Sequence, residues 1–380
     1  MSELIGQVEQ PTYDLASLLA GISSAPLKIL IYGTGGSGKS TNLVSFLPAY
    51  LAGGYKVIFI FTEDNASKGF KDGLSIYWKL IQPYLKPDSI FIADLTEAIN
   101  KKNKDYVGKF TDTDTSKSLL AHGGVYETCM FFTERPFVKD LVEGDKATPK
   151  KFMGKNSLME LTEKDKVLVI LDGYTTLDDT ATGMGAFLVN EKALPKNKSV
   201  TLGAWKGTGT TMMRTVFESL RTDLIVCAHD KVAGFSSSSL ASGDEKKELE
   251  LKEKMQDEQM QEATGFPAIG STTTISKWLG SFGLTFHAMD TRLAESPKIF
   301  RFVYSPQVKA KPNSTESIWY TRLSVAAEES IVKYTKQHDG NKQYPQDWTR
   351  ACWLHFLKQS NKIGEAQYEE LLKLTGQKAI

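Results

Sequence analysis

Cysteine is nearly missing from this 380-residue chain: Cys129, Cys227 and Cys352 are the only three, and no two stand in a CxxC spacing. That suggests neither a disulfide framework nor a zinc-ligand pattern, and it fits a reducing compartment. Long apolar runs are missing too. None approaches the ~18 residues that a membrane-spanning helix needs. Residues 1–20 lack a basic stretch followed by an apolar one, so no signal peptide is expected. Net charge is almost absent: 46 Lys and Arg face 45 Asp and Glu. Such a balance does not by itself draw a chain to nucleic acid or membrane, so any such contact has to be a local patch. There is no internal repeat. The expectation is a cytoplasmic protein that makes no membrane contact.

What the chain does carry is apolar residues in short packets. The hydrophobic fraction is 41%, enough for a sizeable core and too high for a disordered chain. Residues 27–32 (LKILIY), 55–61 (YKVIFIF), 89–93 (SIFIA), 166–171 (KVLVIL) and 222–228 (TDLIVCA) are runs of strand length with little polar alternation. Such runs read as strands buried on both faces. Helical patterns fall at 39–51, at 74–82 with Pro83 as a stop, and at 210–220. Strands alternating with helices predict an α/β fold with a mostly parallel central sheet.

Residues 101–165 break this rhythm. They open lysine-rich, show only weak strand signals at 125–132, and read as an inserted subdomain. Residues 234–265 read as a charged, mobile loop; between Asp244 and Glu262 it holds eight acids and four lysines. Further helix and strand signals follow at 275–284, 299–304 and 317–323, and C-terminal helices are expected at 347–359 and 365–374. The organisation expected is a lead over 1–26, a core over 27–330 and C-terminal helices over 331–380.

Between the first strand and the first helix lies Gly33-Thr34-Gly35-Gly36-Ser37-Gly38-Lys39-Ser40, which fits GxxxxGK[ST]. Glycines let such a loop curl until its N–H groups point inward at phosphates. The helix that follows adds the positive end of its dipole. Lys39 is expected to reach the β- and γ-phosphates, Ser40 to ligate Mg²⁺, and Thr41 to lie near the α-phosphate. The ligand expected is ATP with Mg²⁺. The absence of an NKxD base-reading motif tilts the choice away from GTP.

A phosphate loop needs a carboxylate for Mg²⁺ at the end of a neighbouring strand. Asp172 closes the run 167–171 and precedes Gly173. An ordinary Asp-Gly turn is the plain alternative. Glu63 follows the second strand in FTED and could polarise a water for attack on the γ-phosphate; Asp64 is its rival, and a solvated strand end the alternative. His229 ends the run 222–228 in CAHDK and could sense the γ-phosphate; a hydrogen-bonded structural histidine is the alternative.

In this order, GTGGSGKST, VIFIFTED, VLVILDGYTTL and LIVCAHDK resemble the RecA-type ATPase core, above all phage-encoded RecA-like ATPases of recombination and single-strand annealing. The resemblance spans about residues 27–323. It implies that Lys39 and Ser40 hold phosphate and Mg²⁺, that Asp172 supports Mg²⁺, that Glu63 activates water and that His229 stands in for the family's glutamine sensor. It also implies that Lys309 and Lys311, in VKAK, reach a neighbouring subunit's ATP site in a homo-oligomer. The alternative there is a surface hairpin carrying two lysines.

Single-stranded DNA is the partner this resemblance implies. Basic and aromatic residues interleave in three places: Lys101–Phe110, Lys146–Lys155 with Phe152, and Lys192–Lys206 with Trp205. The third follows the Asp172 strand, where the family carries its first DNA-binding loop. The function expected is an ATPase acting on single-stranded DNA in recombination, repair or replication. A helicase or packaging motor, and an ATP-dependent switch with a protein partner, are the alternatives. Arg214, Arg221, Arg292 and Arg301 are the candidate arginine fingers, and none stands in a telling motif.

Overall fold

The structure, a computed structural model, describes residues 26–99, 123–144, 147–175, 177, 211–232, 263–267, 279–290, 300–304, 307–309, 317–319, 354–355, 357–358 and 360–375. The apolar runs form the strands β1 (Lys28–Gly33), β2 (Lys56–Phe61), β3 (Ile90–Asp94), β6 (Val167–Asp172) and β7 (Asp223–Val232). They belong to one ten-stranded sheet together with β4 (Phe137–Asp140), β5 (Lys150–Lys151), β8 (Ala263–Pro267), β9 (Leu284–Asp290) and β10 (Phe300–Tyr304). Its order is β10-β9-β1-β7-β6-β2-β3-β4-β5, with β8 pairing with β7 off this path. The ladders from β9 to β3 are parallel; β4, β5, β8 and β10 join antiparallel.

The central runs lack polar alternation because both sheet faces are covered. Ile29, Ile31, Phe59, Ile170 and Cys227 face one buried cluster, and Leu30, Tyr32, Ile58, Val169 and Val226 face the other. Each of the aliphatic and phenylalanine side chains among them contributes about 1.5–3 kcal/mol by leaving water. The first face is covered by α1 (Lys39–Leu43), a 3₁₀ turn at Val44–Phe46, α2 (Leu47–Ala52), α3 (Asp64–Ile81) and α6 (Glu365–Thr375). The second is covered by α4 (Gly123–Thr133) and α5 (residues 211–219). The helix expected at 39–51 is broken into these pieces, with Pro48 in the first turn of the second.

The structure corrects two local expectations. Residues 125–132 are helical rather than extended: Val125, Cys129 and Phe132 are buried at helical spacing, although β-branched and aromatic residues there suggest a strand. Within the segment read as an insertion, β4 and β5 extend the edge of the main sheet beyond β3. Finally, α3 begins at Asp64, not 74, because Gly69 and Gly73 hide its apolar stripe in the sequence. Pro83 does follow its end. A two-stranded antiparallel hairpin pairs β11 (Gln307–Lys309) with β12 (Ser317–Trp319). Among the described residues, no helix is long and apolar enough to cross a membrane.

Candidate functional site

The glycine loop leaves the sheet where β1 ends. Gly36 and Gly38 have φ of 75° and 77°, in the left-handed region that side chains avoid. Gly33 is held by contact instead: a Cβ there would lie 2.4 Å from the Ala288 carbonyl oxygen. The loop closes on its own lysine. Nζ of Lys39 donates to the carbonyl oxygens of Gly33 and Thr34, each at 2.9 Å. Burial lowers the Lys39 pKa, against the opposing influence of Cys227, Asp172, Glu63 and Asp230. The Ser37 hydroxyl is buried and has no hydrogen-bond partner. Such an orphan is costly, and an acceptor bound in the loop would relieve it.

Strand register brings the acidic candidates to this loop. Asp172 is level with Phe61 of β2 and Cys227 of β7, and His229 is level with Gly33. With period-2 alternation, Asp172 and His229 point to the face covered by α1. Asp172 is buried, and burial raises its pKa to about 6. The Ser40 hydroxyl beside it opposes that rise, the Glu63 carboxylate adds to it, and Lys39 and His229 oppose it. The two residues expected to hold Mg²⁺ are therefore neighbours.

Glu63 stands at the N-terminus of α3 in extended backbone and makes no side-chain capping bond. Its Oε2 lies 3.7 Å from Nε2 of His229. The glutamate lies where it does because position 173 is glycine: at φ 105°, a Cβ there would sit 2.9 Å from Cγ of Glu63 and 2.5 Å from Oγ1 of Thr62. Thr62 adds a tie, donating from N and Oγ1 to the Asp172 carbonyl oxygen at 3.2 and 2.9 Å. The Asp64 side chain lies outside the described residues.

The α3 helix is fitted against the loop helix. A Cβ on Gly69 would lie 2.5 Å from Cβ of Ser40, and one on Gly73 would lie 2.5 Å from the Thr41 carbonyl oxygen. One turn on, the Tyr77 hydroxyl donates to Oδ1 of Asn42 at 3.1 Å. Glu63, Ser40 and Thr41 are thus held by one helix pair.

Three residues at this edge escaped the sequence reading. Oγ1 of Thr175 accepts the His229 amide at 2.7 Å. On the opposite sheet face, Nε2 of His287 lies 2.9 Å from Oδ2 of Asp230, and the imidazole stacks on Tyr32 at 4.8 Å. None has a motif, and each partner lies more than fifty residues away.

Other expected residues fall away from the loop or outside the described part. Lys309 pairs opposite Ser317 in the hairpin; its side chain and all of Lys311 lie outside the described residues. So do 101–110, 192–206, 234–262 and the side chains of Arg292 and Arg301. The Lys146–Lys155 patch is weaker than expected. Phe152 is fully buried and offers no stacking face, and Lys150 is paired with Asp88 at 2.8 Å. Arg214 is paired with Glu218 at 2.8 Å.

Among the described residues, no three His, Cys, Asp or Glu side chains cluster as a metal site. Ser40 and Asp172 would supply only two oxygens to a cation, a donor set that would leave the other positions of an Mg²⁺ ion to phosphate and water. No family model matches this chain and no curated protein is detectably similar to it.

Proposed function

We propose that this chain is a RecA-type ATPase that binds ATP with Mg²⁺ at Gly33–Thr41 and hydrolyses it. The observation that carries the reading is the convergence of Lys39, Ser40, Asp172, Glu63 and His229 on one sheet edge, from four chain segments. Ligands of open α/β sheets bind at that edge.

Each group has a task in this reading. The loop amides and Ser37 hold phosphate oxygens, and Lys39 exchanges its bonds to Gly33 and Thr34 for bonds to the β- and γ-phosphates. Ser40 and Asp172 would hold Mg²⁺, which when bound neutralises phosphate charge. Glu63 orients a water in line with the γ-phosphate and takes its proton as the bond to the β-phosphate oxygen breaks. His229, beside Glu63, senses whether the γ-phosphate is present. The RecA resemblance extends the proposal to single-stranded DNA as partner and to a homo-oligomer with ATP sites at subunit interfaces.

The test is ATP hydrolysis with and without single-stranded DNA, with Lys39→Ala as the blank. Hydrolysis that DNA stimulates and the substitution abolishes is expected. Lysine-dependent hydrolysis indifferent to DNA would retain the ATPase and replace DNA by a protein partner. Hydrolysis that survives Lys39→Ala would end the proposal.

A further inference from the structure

We infer that Thr175 is a positioning residue for the proposed hydrolysis, acting by fixing His229 against Glu63; the inference rests on the ATPase reading above. The β6–β7 ladder stops at the Asp172–Cys227 pair. Gly173, at φ 105°, then turns the chain out of the sheet, and Tyr174 anchors the turn in the core with its ring 6.3 Å from Phe217. Meanwhile β7 runs on to Val232. The His229 amide thus lies beyond the last paired residue of β6. That half-buried amide has no β6 carbonyl to meet, and Oγ1 of Thr175 supplies its acceptor at 2.7 Å.

The same turn touches both members of the His229–Glu63 pair. Gly173 packs under Cγ of Glu63, and Thr175 holds the backbone of His229. On the other side of His229, the next residue, Asp230, is held by His287 at 2.9 Å. At His229 the β7 backbone pairs with Gly33 of β1, and at Asp230 with Pro267 of β8; Thr175 supplies the hold on the β6 side. Removing the Thr175 hydroxyl loosens that side and lets the imidazole shift relative to the carboxylate 3.7 Å away. Small displacements of such groups cost rate rather than substrate binding.

The experiment is steady-state ATP hydrolysis by the full chain carrying Thr175→Val or Thr175→Ser, each with and without His229→Ala. Valine keeps the volume and removes the acceptor; serine keeps the acceptor. The expected result is a fall in kcat of about tenfold or more for valine, with KM for ATP within about twofold, and recovery with serine. In the His229→Ala background the valine change costs nothing further, because both act through one group. If valine does not fold, Thr175→Ala removes the acceptor with less crowding. Equal losses with valine and serine, an effect confined to KM, or full additivity with His229→Ala overturns the inference. Lysine-dependent hydrolysis untouched by Thr175→Val removes this inference and leaves the ATPase. A wild type without Lys39-dependent hydrolysis removes both.

Discussion

Nε2 of His229 and Oε2 of Glu63 lie 3.7 Å apart, although their strands, β7 and β2, are separated in the sheet by β6. The pair bridges the end of the strand that carries Asp172. In the proposed mechanism, the residue that would sense the γ-phosphate and the one that would activate water are therefore adjacent. Glu63→Gln keeps the shape and removes the base. It is expected to lower ATP hydrolysis by roughly 10²- to 10⁴-fold while equilibrium ATP binding persists. A loss of binding as large as the loss of rate would place Glu63 in ligand binding instead.

Asp172 links the site to pH. Its pKa, raised by burial to about 6, lies above the ordinary 3.8. The sign follows: the folded state favours the protonated acid, so this residue's stabilising contribution is complete below the unfolded value and lost as pH rises through about 6. Asp172→Asn removes that dependence. Relative to wild type, the variant should gain roughly 2–3 kcal/mol near pH 8, with the gain disappearing below about pH 4. Urea unfolding across this range measures it. Magnesium-dependent ATP binding should weaken in the same variant, and a gain that ignores pH would contradict the assignment.

The glycines of α3 and Gly35 of the loop differ sharply in what they tolerate. Gly69→Ala or Gly73→Ala forces a Cβ to within 2.5 Å of Ser40 or the Thr41 carbonyl oxygen. Each is expected to destabilise by about 1–3 kcal/mol through overpacking. Gly35→Ala meets nothing within 4 Å. It should leave the melting temperature within a degree or two. Thermal melts of the three variants decide, and equal shifts would rule out the close helix contact.

At the opposite end of the sheet, Nζ of Lys362 lies 2.8 Å from Oδ1 of Asp223, with side chains 9% and 2% exposed. Burial raises the Asp223 pKa despite this lysine and the Leu27 amide, which also binds the carboxylate. Lys362→Met would leave a buried carboxylate short of its counter-ion. A cost of about 3–5 kcal/mol is expected from denaturant unfolding. Adding Asp223→Asn should recover most of it, whereas no recovery would mean that lost packing, not lost charge, dominates.

How much could be read in advance follows from where each signal lives. The core strands were legible because both faces are covered, so burial on each side wrote itself as an unbroken apolar run. The glycine loop was legible because its demands are local: positive φ at Gly36 and Gly38, and a lysine one residue later. The α3 helix was only half legible, since Gly69 and Gly73 look like breakers until a second helix is laid against them. The α4 helix was misread because aromatic and β-branched residues favour strands until the spacing of Val125, Cys129 and Phe132 meets a core.

The amino-acid sequence by itself determined the α/β class, the five central strands, the loop and the carboxylate and histidine at three strand ends. Each depends on residues within one segment. Only the tertiary structure decided that Ser40 meets Asp172, that Glu63 meets His229, that Thr175 holds the His229 amide and that His287 clasps Asp230. The strand residues in those contacts are placed by parallel register, and register is a property of the whole sheet: a one-residue shift would turn Asp172, His229, Asp230 or His287 to the other face.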